Sequence, residues 1–154
     1  MHINAHFDGG NIVTKAAEKP SDIRLEIRMD EGGEHGQWFY FQLCGLRGQP
    51  ITIENAGDMS YPKGFEDYGV ATSTDLEHWF RTSTTFDGRS LRWEYTPTTD
   101  STWFAYFAPY GYERHQRLIG HALAAPGVRA EVLCPTPDGH ALTLLTFGEP
   151  ATDR

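Results

Sequence analysis

The sequence predicts a mainly β protein: an antiparallel β-sandwich followed by one helix and a terminal hairpin. Three observations predict it. Polar and apolar residues alternate with period two, most clearly over Asp22–Met29, as they do in half-buried strands. Short strand-like runs rich in aromatics are punctuated by Gly, Pro and Asp at roughly 8–12-residue spacing, the pattern of sandwich strands and turns. The period then changes once, over Tyr112–Ala125, where Leu118, Ile119, Ala122 and Leu123 fall on one helical face.

Taken in order, Asp22–Met29 is a half-buried strand with Ile23, Leu25, Ile27 and Met29 inward, closed by the turn cluster Asp30–Glu34. Trp38–Cys44 is almost continuously apolar and suits a central strand buried on both faces, with Trp38 in the core. Pro50–Asn55 alternates again and pairs most simply with it as a hairpin. Ala56–Phe65 is a loop. Tyr68–Ser73, Trp79–Thr84, Leu91–Tyr95 and Thr102–Phe107 are further strands, with Asp87-Gly88 marking a tight turn. Pro126-Gly127 stops the helix. Strands at 128–133 and 141–147 close the chain around the Pro135–Gly139 turn. The division falls at a sandwich over 1–110 and a helix-plus-hairpin unit over 111–154.

Composition bounds the function classes. The net charge of −8 is spread along the chain. It argues against nucleic acid or an anionic membrane surface as partner, since both need a basic patch. Cys44 and Cys134 are the only cysteines, each beside an apolar run, and read as buried free thiols. The N-terminus has neither a basic region nor an apolar one of the signal-peptide kind, and no apolar run is as long as a membrane span. A cytoplasmic protein is the expectation.

Familiar catalytic patterns are absent from the sequence: no phosphate-binding Gly-x-x-x-x-Gly-Lys loop, no Gly-x-Ser-x-Gly, no Cys-x-x-Cys, and no His-x-x-Glu or His-x-His spacing among its seven histidines. The densest constellation runs from Phe104 to His115, where Pro109, Tyr110, Tyr112, Glu113, Arg114 and His115 gather as strand hands over to helix. It reads as a cleft-lining or domain-docking surface, or simply as packing with Glu113 favouring the helix N-terminus. Trp79, Trp93 and Trp103 raise a sugar-stacking alternative. Burial of all three would remove it.

Several of these segments resemble the cytosolic carboxypeptidase family, zinc enzymes of the carboxypeptidase A superfamily. Phe7-Asp8-Gly9-Gly10-Asn11-Ile12 is similar to its opening Phe-Asp-Ser-Gly-Asn; Trp38-Phe39-Tyr40-Phe41 followed by Gly45, Ile53-Glu54-Asn55-Ala56, Trp79-Phe80-Arg81 and Ala105–His115 resemble its later signatures in order. The resemblance implies an N-terminal sandwich that packs beside the active-site funnel of a catalytic domain, with residues 116–147 similar to the beginning of that domain. It makes Trp79 and Arg81, with the Pro109–His115 group, candidate interface or cleft-lining residues. Asp138-Gly139-His140 departs from the family's Asp-Gly-Arg.

The family's zinc ligands, a His-x-x-Glu pair and a later His, have no match before Arg154. No catalytic or metal-binding residue is therefore carried over. Zinc is expected only in a complete parent enzyme, and no cofactor in this chain. The expected partner is a carboxypeptidase catalytic domain, or a second copy joined through the C-terminal hairpin, whose edge and apolar face need cover. A free-standing peptide- or glycan-binding module is the alternative. An unrecognised enzyme using Glu113, Arg114 and His115 as acid and base ranks last.

Overall fold

The computed structural model describes residues 1–17 and 23–148, in two compact units, the first Met1–Pro109 and the second from Tyr110 onward. The first unit is a sandwich of two five-stranded sheets. One holds β1 (His2–Asn4), β4 (Tyr40–Cys44), β10 (Ser101–Ala105), β6 (Gly69–Ser73) and β7 (Phe80–Ser83), in that order. The other holds β2 (Val13–Ala16), β3 (Ile23–Glu26), β5 (Pro50–Ile53), β9 (Leu91–Glu94) and β8 (Thr85–Phe86). Among the described strands every pairing is antiparallel except β3 with β5, which run parallel.

Alternation dictates which side chains meet between the sheets. Phe41, Leu43, Val70 and Phe104 from the first sheet face Ile23, Leu25, Ile51, Ile53, Leu91 and Trp93 from the second, all buried. Phe41, Trp93 and Phe104 form the aromatic centre, with Trp93–Phe104 and Phe41–Phe104 ring centroids each 5.6 Å apart, a spacing at which edge and tilted contacts are favourable.

Several sequence expectations change here. Pro50–Ile53 does not form a hairpin with β4 but crosses to the second sheet. The intervening loop turns at Gly45 (φ 77°) and Gly48 (φ 88°) and inserts the fully buried Leu46. A tight hairpin would leave that side chain outside. Met29 is 40% exposed, not inward: β3 ends at Glu26, and the inward run of Ile23, Leu25 and Ile27 stops before it. Asp22, where that strand was expected to begin, lies outside the described residues. Trp38 is only half-buried, since alternation puts it and Tyr40 on the outer side of β4.

Neither cysteine is a buried thiol. Cys44 shares that outer side and is half-buried; Cys134 is exposed on a two-stranded ribbon. The Ala56–Phe65 loop contains two 3-10 turns, Ala56–Asp58 and Pro62–Phe65, that bury Ala56, Met59 and Phe65 in the main core. The Asp87-Gly88 turn forms as expected: Gly88 adopts φ 89° and Asp87 Oδ1 accepts from the N–H groups of Arg89 (2.9 Å) and Ser90 (2.7 Å).

The second unit comprises α1 (Tyr112–Leu123) and the antiparallel hairpin β11 (Val128–Pro135) and β12 (Ala141–Phe147), with a bulge between Val132 and Cys134. None of the helix residues is buried. His115, Ile119 and Ala122 are half-buried while Leu118 and Leu123 are exposed, so the sheltered stripe is turned from the one the sequence predicts. Residues 149–154, the end of the expected second unit, lie outside the described residues.

Candidate functional site

Two of the signature-like segments close the sandwich. In Phe7–Ile12 the chain turns back, with the Gly10 N–H donating to Phe7 O at 2.9 Å. A Cβ on Gly10 would collide with the Ala5 carbonyl oxygen, so the turn needs glycine. Asn11 then bridges to Tyr40 by two backbone bonds, and its Nδ2 donates to both Arg28 O and Trp38 O at 2.9 Å. One buried amide thus ties both sheets at this point. Asn55 extends the pairing of β5 with β3 within the second sheet, accepting from the Ile27 N–H and donating to its carbonyl, both at 2.9 Å. These side chains complete backbone pairing where a strand ends.

Arg81 and Trp79 sit on and beside β7. Arg81 Nη1 donates to Gly69 O at 2.6 Å and to Tyr106 O at 2.9 Å, and its guanidinium stands 5.4 Å from the centre of the Tyr68 ring. Tyr68 in turn donates to Tyr106 O at 2.5 Å and stacks on the Tyr106 ring, 5.2 Å between centroids. Burial pushes the Tyr68 phenol well above the ordinary range, with Arg81 acting against the shift. The phenol keeps its proton at neutral pH and donates. Together Arg81 and Tyr68 hold the chain as it leaves β10 for Pro109.

The outer face of the first sheet carries a feature the sequence reading missed. Tyr40, Ala105, Ala71 and Arg81 occupy one register row across four strands. Around the two alanines stand Phe7, Trp38, Trp79 and Trp103, all half-buried. Tyr40 receives Phe7 edge-on at 4.8 Å and both Trp38 and Trp79 at 6.1 Å. Phe107, 51% exposed, extends the patch by packing on Trp38 at 4.9 Å. The signal was present in the sequence: positions 38 and 40 alternate with the buried 39 and 41. Treating that run as buried on both faces concealed it. Trp93, by contrast, is 3% exposed and belongs to the core.

In the second unit the ionisable cluster does not converge. Glu113 reaches Arg117 at 4.0 Å, whereas His115 Nδ1 lies 3.3 Å from the Tyr110 hydroxyl. Two helical positions apart, Glu113 and His115 point to nearly opposite sides. Arg114 lies 5.7 Å from the Tyr110 ring centre, and Tyr112 stacks on His140 at 4.2 Å. These contacts involve side chains that are exposed or half-buried. Among the described residues no three His, Cys, Asp or Glu side chains come together as metal ligands. A cleft of about 180 Å³ lies elsewhere, lined by His6, Gly10, Thr14 and Arg28 among others.

Comparison with known proteins places this architecture. In sequence the chain is 40% identical over 151 residues to an uncharacterized protein of Zymomonas mobilis, covering 97% of this chain and 40% of that one. Cytosolic carboxypeptidase 4 of Mus musculus is 23% identical over 183 residues, 96% of this chain and 16% of that protein. The crystal structure of a metallo-carboxypeptidase from Burkholderia cenocepacia superimposes with a TM-score of 0.93 at 40% identity, over 99% of this chain and 40% of that one. A metallo-carboxypeptidase from Pseudomonas aeruginosa, solved with (2-guanidinoethylmercapto)succinic acid, gives 0.86 at 38% identity, over 94% and 40%. The chain therefore spans about two fifths of the length of its bacterial relatives. Residues 3–107, the sandwich just described, match the family model of the cytosolic carboxypeptidase N-terminal domain, and the chain belongs to that family.

Proposed function

We propose that this chain acts as a non-catalytic accessory domain of a cytoplasmic metallocarboxypeptidase-like protein. It packs beside the active-site funnel and supports the folding or substrate access of a catalytic domain carried outside these residues. One observation carries the reading. The chain matches a two-fifths portion of metallo-carboxypeptidases almost end to end, yet contains no His-x-x-Glu pair and, among its described residues, no ligand cluster. Zinc belongs, on this reading, to the complete parent. The glycan-binding alternative is less well supported. Trp93 is in the core, and the indole N–H groups of Trp38 and Trp79 already donate to Gly9 O and Leu76 O.

The test pairs the chain with a relative. The purified chain is expected to bind no stoichiometric zinc and to release no C-terminal residue from peptides. Exchanged for the matched portion of the Burkholderia cenocepacia enzyme, it is expected to support a soluble, chelator-sensitive carboxypeptidase. Chelator-sensitive cleavage by the chain alone would sink the proposal.

A further inference from the structure

We infer that the cleft at the β1–β2 margin of the sandwich is a binding site for a small, doubly charged oxyanion of the phosphate kind, with Arg28 as its principal contact. The inference stands apart from the accessory-domain reading and goes beyond it. The cleft has a volume of about 180 Å³ and reaches from Ile3 on β1 to Thr14 on β2, the edge strands of the two sheets, taking in His6, Gly10 and Arg28. Its frame is held from behind. Buried Asn11, between the lining residues Gly10 and Ile12, donates to the Arg28 carbonyl at 2.9 Å. The His6 N–H donates to Asn4 Oδ1 at 2.9 Å, and the chain at Gly10 lies so close to the Ala5 carbonyl that only glycine fits. The backbone that carries these side chains is therefore fixed before any ligand arrives, which lowers the cost of ordering on binding.

The charge of the cleft points to its ligand. The chain carries a net −8, yet no carboxylate lines this cleft. Glu26, two residues before Arg28, pairs with Lys15 at 3.3 Å instead. Among the described residues the Arg28 side chain takes part in no ion pair and no hydrogen bond. Other exposed cations stand on open surface or meet a carboxylate, as Arg24 meets Glu54 and Arg47 meets Asp100. Arg28 stands in a concavity with an imidazole and a hydroxyl. A guanidinium presents a planar fork of N–H donors that matches the paired oxygens of an oxyanion, and His6 and Thr14 add further donors. A double charge gains more from that cationic wall than a single one does.

Amide NMR titration of the 154-residue chain with inorganic phosphate, against sodium chloride at equal ionic strength, tests this. Phosphate is expected to shift the amides of Gly10, Ile12 and Thr14 to saturation at concentrations on the order of millimolar, the range of a weak single-ion site. Arg28→Gln should weaken binding several-fold with the rest of the spectrum unchanged, and His6→Gln by a smaller factor. Arg92→Gln, on the exposed side of β9, should leave it intact. Shifts that rise without saturating, or an affinity that survives both Arg28→Gln and His6→Gln, overturn the inference. So does an equal loss in Arg92→Gln, which would mark general screening of the chain. Acetate that binds as tightly as phosphate removes the preference for a doubly charged ion and overturns it too.

Discussion

Single side chains do much of the joining in this sandwich. Asn55 sits where β5 ends and pairs with Ile27 as a strand neighbour would, through two bonds of 2.9 Å. Asn55→Ala leaves the backbone groups of buried Ile27 unpaired, at about 2 kcal/mol. Urea unfolding should show this as a lower midpoint with an unchanged slope, and an unshifted midpoint would mean that water replaces the amide without loss. A second residue-scale device is the loop Ser73–His78. Asp75 Oδ1 accepts from the N–H groups of Glu77 and His78, and Oδ2 lies 2.8 Å from His78 Nδ1. These hydrogen bonds, led by the His78 N–H, hold the Asp75 carboxyl well below the usual range, and the hydrogen bond to Asp75 raises the His78 imidazole. The raised imidazole favours the folded loop fully below the unfolded histidine value of about 6.5, and that contribution is lost as pH rises through the folded value. The lowered carboxyl contributes above about 3.9 and loses its effect as pH falls. The pair is thus best held between roughly pH 4 and 6.5. An NMR titration should place His78 above an ordinary histidine, and Asp75→Asn should return it.

Elements were legible in the sequence in proportion to their length. The segments of β3 and β9 alternate long enough for a period to be read, those of β4 and β10 stand out as apolar, aromatic runs, and β11 and β12 were found nearly whole. The three-residue β1 and two-residue β8 are too short to show one. The partner of β5 was not legible, because it depends on buried Leu46 steering the chain across to the other sheet. The roles of Asn11 and Asn55 escaped for the same reason: their partners lie 17 to 28 residues away. The hairpin raises a question proper to this scale. A two-stranded ribbon cannot bury both its faces, and such ribbons are marginal alone. Leu142 and Leu144 are 49% and 40% exposed on the same side of β12. The isolated chain is expected to associate weakly through them. Sedimentation velocity across a concentration series should show larger species at high concentration, and Leu142→Lys with Leu144→Lys should abolish them. A wild-type chain that stays monomeric throughout would remove self-association as a partner mode.

Across the molecule, burial is distributed very unevenly. All the buried core residues lie within Met1–Pro109, where two aromatic-rich layers interlock; among the described residues of the second unit none is buried. Propensity alone stabilises a twelve-residue helix only marginally, so α1 depends on what shelters its half-buried stripe of His115, Ile119 and Ala122. The sandwich strands open only when the core is lost. The two units should therefore differ in local stability, not merely in composition. Native-state amide hydrogen exchange reads this directly, because protection scales with the free energy of the opening that exposes each amide. The amides of Phe41, Leu43 and Phe104 should exchange only through global unfolding. Those of Leu118 to Ala122 should exchange at least roughly 10³-fold faster, the ratio that a gap of about 4 kcal/mol produces. On the proposed accessory role, the helix amides should slow towards the strand values in the chimera with the Burkholderia enzyme. Helix amides as protected as those of β4 and β10 in the chain alone would mean that all the described residues unfold as one cooperative body.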